Sequence, residues 1–293
     1  MRTQRIHSLL CAAILFVLPT HLDAMQAHGH EREFAKRYVI AGELLKSTSA
    51  SVILDSWTRG LLAPGGFKKY EYTPEVEARL EDAWHRAVRG SFRVREILDE
   101  VREAYATSFS SAELTGFLEF CQSSLGRKIT AIEKALYDRK LDEAAIHAEY
   151  NAALKLLNAD PSRKRLIEEL SELYGGTKAA ADLVQSMTLA SWLGAEAVKP
   201  VGQPRLSPKE VFNEIAKLRP RLMRELERHV LADSALRYLS LEVSELQELR
   251  KIAASPLGRR HSAFNTRVWA RAMRRQMLQV GEQFVREWNR PRL

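Results

Sequence analysis

Cysteine is almost missing from this chain: 293 residues contain two, Cys11 and Cys121. No Cys-x-x-Cys pair exists, which excludes a dithiol redox site and a zinc site of that spacing. His-Glu-x-x-His, Glu-x-x-His, Gly-x-Ser-x-Gly and the phosphate-cradling glycine loop are absent as well. With them go the sequence patterns of zincins, carboxylate-bundle metal sites, serine hydrolases and P-loop enzymes. Sustained alternation of β-branched residues does not occur, so no sheet is expected. After Leu18 no stretch is apolar enough to cross a bilayer, which takes about 20 apolar residues.

What is present begins with a leader. Arg2 and Arg5 give a positive start, Leu9 to Leu18 is an apolar run ended by Pro19, and Ala24 is a small residue suited to cleavage. This is the three-part layout of a secretory signal peptide over residues 1–24, with Ala27 as the alternative cleavage point. Cys11 follows Ser8-Leu9-Leu10 and lacks the small neighbour of a lipidated cysteine. The expected location is the periplasm, with release from the cell as the alternative. One cysteine then remains, so no internal disulfide supports the fold and stability must come from core burial. The formal charge is +8, or +7 without Arg2, Arg5 and Asp23. An exported chain meets little nucleic acid, so none is expected as a partner. The modest, spread-out charge reads as a solvated surface, with weak attraction to anionic envelope surfaces as the alternative.

Apolar residues recur at helical spacing nearly to the end. Phe34, Tyr38, Ala41, Leu44 and Leu45 mark the first helix, over Glu31–Thr48. Further helices are expected over Ser51–Leu62, Glu75–Ala106 (where Gly90 is a place for a break), Ser111–Gln122, Arg127–Tyr137 and Asp142–Leu157. Ser162–Tyr174, Lys178–Val198, Lys209–Leu218, Arg221–Tyr238, Ser244–Ala254 and Arg259–Trp288 complete the series. Ala63 to Pro74 and Pro200 to Pro208 read as loops.

One segment recurs. Glu113, Leu114, Ser123, Leu125, Gly126 and Arg127 are matched, 132 positions later, by Glu245, Leu246, Ser255, Leu257, Gly258 and Arg259, and Lys128 becomes Arg260. About one identity in sixteen positions is the chance level, so the segment reads as an internal repeat. The expected architecture is all-α: two tandem helical modules, residues 28–158 and a more divergent 159–293, meeting near Asp160-Pro161. Within the repeat, Leu114, Phe117, Leu118, Cys121 and Leu125 form one apolar stripe. In the second copy Arg250 replaces Leu118, which predicts a narrower buried face. Ser110 stands three residues before Glu113, the spacing of a capping box. Ser123 and Ser255 read as N-caps of the following helices, with Pro256 at a first helical position. Gly126 and Gly258 are expected to admit a close backbone. The motif is thus a helical corner.

Glu-Leu, an aromatic pair and Ser-Pro-x-Gly together resemble a bacterial family of exported helical proteins, domain-of-unknown-function family 2059. The first copy keeps Phe120 but has Cys121 and Ser124 where the family usually has Tyr and Pro. The second keeps Ser255, Pro256 and Gly258 but has Ile252-Ala253 for the aromatics. Tyr105 to Lys128 carry the resemblance best. It implies an envelope location and a helical fold, and no activity.

Residues able to do chemistry are scattered. Glu81 and His85, Glu143 and His147, and Glu225 and His229 each share a helix face, and surface ion pairing is expected of them. Cys121 reads as a small hydrophobe. His28-Gly29-His30 would suit copper only if cleavage fell after Ala27. The last helix carries Arg267, Arg271, Arg274, Arg275 and Arg286 beside Val268, Trp269, Met273, Met277, Val280 and Phe284. Its apolar face is expected to complete the second module's core, with a membrane surface as the alternative. No catalytic residue, cofactor or metal is assigned. The expected role is a non-enzymatic one toward an envelope partner. The alternatives are an enzyme with a site between the modules and a binder of anionic membrane or cell-wall polymer.

Overall fold

The computed structural model describes residues 29–64, 72–139, 143–197, 202 and 204–290. Residues 1–28, which include the expected leader and His28, and residues 65–71, 140–142, 198–201, 203 and 291–293 lie outside them. Every regular element among the described residues is a helix. In order these are α1 (29–46), α2 (Ala50–Leu61), α3 (Pro74–Ser91), α4 (Val94–Ser108), α5 (Ser111–Gln122) and α6 (Ser124–Tyr137). Then follow α7 (Glu143–Ala159), α8 (Pro161–Leu173), α9 (Gly176–Ala197), α10 (Pro208–Tyr238), α11 (Val243–Ala254) and α12 (Pro256–Trp288).

Helix starts follow local chemistry. Thr73, Asp160 and Ser207 each place a side-chain oxygen on a free amide of the first turn, and each precedes a proline at the first helical position. Proline there gives up no hydrogen bond and already has a helical φ. Two expected breaks differ from the sequence reading, and α6 and α12 each start three residues earlier than expected, at Ser124 and Pro256. The break between α3 and α4 lies at Phe92-Arg93 instead of Gly90. Phe92 turns inward to 6% exposure, and the Arg93 amide donates to Gln276 Oε1 of α12 at 3.0 Å. In contrast, α10 runs unbroken through Pro220. Its packing along α9 offsets the hydrogen bond that proline forfeits.

Two hydrophobic cores form, and each draws on both expected modules. The first takes Leu44 of α1, Leu54 of α2, Leu80 of α3, Ile97 of α4 and Leu114 of α5, and closes on Met277 and Phe284 of α12. The second takes Leu125 of α6 and Leu157 of α7 with Ile167 of α8, Tyr238 of α10 and Leu249 of α11. Both expected modules therefore contribute to both cores. The apolar face of α12 fills the first core and not, as its position in the sequence suggested, the core of α8, α10 and α11. Val268, Met273, Met277, Val280 and Phe284 are all 6% exposed or less there. Each such side chain contributes roughly 1.5–3 kcal/mol of burial. That face is consequently not free to lie on a membrane. The arginines stay outside, where Arg271 and Arg275 both reach Glu100 of α4, at 3.0 and 2.6 Å.

Candidate functional site

The corner between α5 and α6 is built from hydrogen bonds its own residues supply. Ser123 is extended (φ −66°, ψ 168°), and its Oγ accepts from the Gly126 amide at 3.0 Å. A Cβ on Gly126 would stand 2.0 Å from the Phe120 carbonyl oxygen, so only glycine fits so close to the preceding helix. The corner between α11 and α12 has the same construction. Ser255 is extended (φ −63°, ψ 156°), its Oγ accepts from Gly258 at 3.0 Å, and a Cβ on Gly258 would meet Ile252 O at 2.1 Å. Pro256 opens α12, Leu125 is buried in the second core, and Leu257 packs half-buried against the first. Each corner thus sends its outgoing helix into the core occupied mainly by the other part of the chain.

Ion pairs tie these exchanged helices down. Glu113 of α5 accepts the Ser110 amide at 2.8 Å and also receives Arg260 of α12. Glu245 of α11 accepts the Glu242 amide at 2.7 Å and receives Lys128 of α6 at 2.6 Å. Both carboxyls are held below the usual carboxylate range. For Glu113 the Ser110 amide is the main cause, and for Glu245 the Lys128 ammonium. Leu114 and Leu246 follow them in sequence and are fully buried. The stripe of α11 is the more deeply buried, with Leu246, Leu249 and Ala253 enclosed against Leu114 alone in α5. This reverses the expectation for the second copy: Arg250 points off the stripe, to Glu169.

Behind each ion pair lies a partly buried polar joint. In the first, Tyr105 of α4 donates its O–H to Asn265 of α12 at 2.6 Å and stands 2.8 Å from His261 Nε2. The phenol has one proton, given to Asn265, so His261 carries the Nε2 proton and donates to the phenol oxygen. Phe109, Phe117 and Phe264 surround them, with Phe117 4.2 Å from the imidazole centroid. Burial pushes the Tyr105 phenol up and the His261 imidazole down to about 4. In the second joint, Arg237 of α10 meets Glu133 of α6 at 3.5 Å and Asp233 at 2.5 Å, and donates to the Tyr137 hydroxyl. Ser49 donates to the far oxygen of Glu133. Tyr105 and Arg237 are 132 positions apart, as are Glu133 and Asn265. One joint is neutral and the other ionic. Matching identical residues could not find them, because the paired positions differ in type.

Other candidate groups are used locally. Glu225 pairs with Arg221 at 2.7 Å, while His229 faces the rings of His147 and Tyr150. Burial raises the Cys121 thiol to about 11, which suppresses the reactive thiolate. Among the described residues no three His, Cys, Asp or Glu converge as metal ligands. A groove of about 470 Å³ between α3 and α12 is lined by Arg79, Asp82, Arg86, Glu287 and Arg290. Arg86 and Arg290 both contact Glu287, and Arg79 lies over Trp288. A second groove, about 240 Å³ between α9 and α10, is lined mainly by Val184, Thr188, Ile215, Leu218 and Leu222. Neither groove includes a residue of the two joints.

Residues 95–148, spanning α4 to the first turns of α7, match the model of a family described as an uncharacterized protein conserved in bacteria (DUF2059). No curated protein and no solved structure matches the chain. No helix among the described residues is long and apolar enough to cross a membrane.

Proposed function

We infer that this is an exported, non-enzymatic protein of the bacterial envelope, built from two divergent copies of one helical unit and acting through its helical surfaces. One observation carries the reading: the positions that correspond between the halves hold caps, ion pairs and packing. Glu113 and Glu245 tie down neighbouring helices, and the groups at Tyr105 and Arg237 use their hydrogen bonds to join the halves. The leader pattern of Arg2, Leu9–Leu18 and Ala24 supports export. The match of residues 95–148 to an uncharacterized bacterial family supports the family context. An enzyme would call for a cleft of converging carboxylates and histidines between the halves. The contact between them is instead filled, around Tyr105, by phenylalanine rings. The test has two parts. Mass spectrometry of the mature protein from the periplasmic fraction should give an N-terminus at Met25 or His28, and an intact leader in the cytoplasm would end the export reading. Photocrosslinkers at exposed Phe212 and Leu218 should then capture a discrete envelope protein in living cells. Turnover of a small molecule by the purified chain, with no crosslinked partner, would overturn the non-enzymatic role.

A second reading rests on Arg267 and Arg274. Both are exposed on α12 and neither has an acidic partner among the described residues. They would give weak, salt-sensitive binding to an anionic polymer or headgroup surface. Binding to vesicles of anionic lipid should disappear in moderate salt and in the doubly substituted Arg267→Gln, Arg274→Gln chain. Binding that survives either change would dismiss it.

A further inference from the structure

The contacts between the halves are reciprocal. Lys128 of the first half grips Glu245 of the second, and Arg260 of the second grips Glu113 of the first. Swapping every residue for its counterpart 132 positions away turns one pair into the other. The same operation turns Tyr105–Asn265 into Arg237–Glu133. This is the pattern of an isologous interface, where residue i meets j and the partner's j meets i. In this chain the two partners are one polypeptide, joined between α6 and α8 by the single helix α7. Nothing in the contacts themselves requires the two halves to come from the same chain.

We propose that a second copy of this chain can occupy the interface between the halves, so that two chains exchange whole halves and form a closed dimer. This rests on the reading that the halves are copies of one unit. Every contact of the monomer then recurs, and the cost is confined to the α7 connection and to association itself. The polar joints also restrict how halves pair. Two first halves would set Tyr105 against Glu133, and two second halves would set Arg237 against Asn265. Only unlike halves give the observed combinations, so the exchange dimer contains two mixed lobes. In the monomer the tether supplies a high effective concentration. The dimer therefore accumulates when chains fold together at high concentration, and persists because reopening requires breaking both cores.

The test uses full-length mature chains. One carries Lys128→Glu and an affinity tag; the other carries Glu245→Lys and no tag. Each monomer holds a like-charge contact at this position. A mixed exchange dimer holds one reversed ion pair and one native pair, so both repulsions vanish. After refolding the two together, the tag should retain the untagged chain roughly tenfold more than in a wild-type mixture. Size-exclusion chromatography should place the retained material at twice the monomer mass. Wild-type tagged and untagged chains, refolded together at rising concentration, should give a smaller dimer peak that survives dilution. A chain carrying both substitutions separates the two ideas. Its reference is Glu245→Lys alone, because both chains lack the capping bond from the Glu242 amide. If it is more stable than Glu245→Lys while no mixture yields dimer, the exchange is wrong and the contact between copies stands. If it is no more stable than Glu245→Lys, the reciprocal contact is wrong and the reading of two equivalent halves fails with it.

Discussion

Lys128 and Glu245 lie 2.6 Å apart, on helices that follow and precede two matching corners. Arg260 and Glu113 repeat the contact with donor and acceptor exchanged between the halves. Lys128 and Glu245 are 39% and 26% exposed at the side chain. Their strength is therefore modest, and what they contribute is register: each fixes where an outgoing helix leaves its corner and which core it enters.

The corners allow no side chain at their glycines. Gly126→Ala and Gly258→Ala should each destabilise the protein by about 3 kcal/mol, the upper range for overpacking, because the clash is with backbone. Urea denaturation read by circular dichroism measures this. A loss below about 0.5 kcal/mol at either site would show that the corner can open at little cost.

Ser123→Ala and Ser255→Ala remove the oxygens that accept from Gly126 and Gly258 at 3.0 Å. Each should cost about 1 kcal/mol, and the two should add in the double variant because the corners feed different cores. Strong non-additivity in the same denaturation experiment would mean that the corners are coupled.

Stability should fall with acid because of His261. Its folded-state value, near 4, lies below the 6.5 of the unfolded chain. Between those values the unfolded state binds more protons, so this stabilising contribution is complete above pH 6.5. It is lost as the pH falls toward 4, by up to about 3 kcal/mol. His261→Ile, which installs the residue found at the corresponding Ile129, should flatten the urea midpoint between pH 7 and pH 5 relative to wild type. An unchanged slope would remove His261 as the cause.

The ionic joint should behave as a unit. Arg237→Met leaves Glu133 and Asp233 without their cation and should cost about 3–5 kcal/mol. Arg237→Tyr with Glu133→Asn and Asp233→Val places at this joint the residues that correspond to Tyr105, Asn265 and Val101. That chain should be more stable than Arg237→Met by at least about 1 kcal/mol. A greater loss in the graft than in the single variant would show that the two joints are not interchangeable.

Much of the secondary structure was legible because its causes are local. Ser110 ahead of Glu113, Pro161 after Asp160 and the leucines spaced through α11 all act within one or two turns, and such signals survive in a bare sequence. Where α12 packs did not, because its stripe from Val268 to Phe284 is equally apolar whichever core it enters. The choice is made by the corner at Ser255 and by partners more than a hundred residues away, such as Ile97 and Glu100. Pro220 misled for a related reason: a proline predicts a break from its own geometry, while α9 alongside holds the helix together. The polar joints were hidden because Tyr105 and Arg237 share a position and nothing else.

The dependence of the first core on α12 sets an order of assembly. Leu44, Leu54, Leu80 and Ile97 gather around a helix that comes last in the chain. A polypeptide emerging N-terminus first, from a ribosome or through a translocation pore, would carry α1 to α5 unclosed until Met277 and Phe284 had appeared. Such late pairings slow folding. The segment from α1 to α5 thereby stays open until the final helix arrives, while the second core, complete at Ala253, needs no part of that helix.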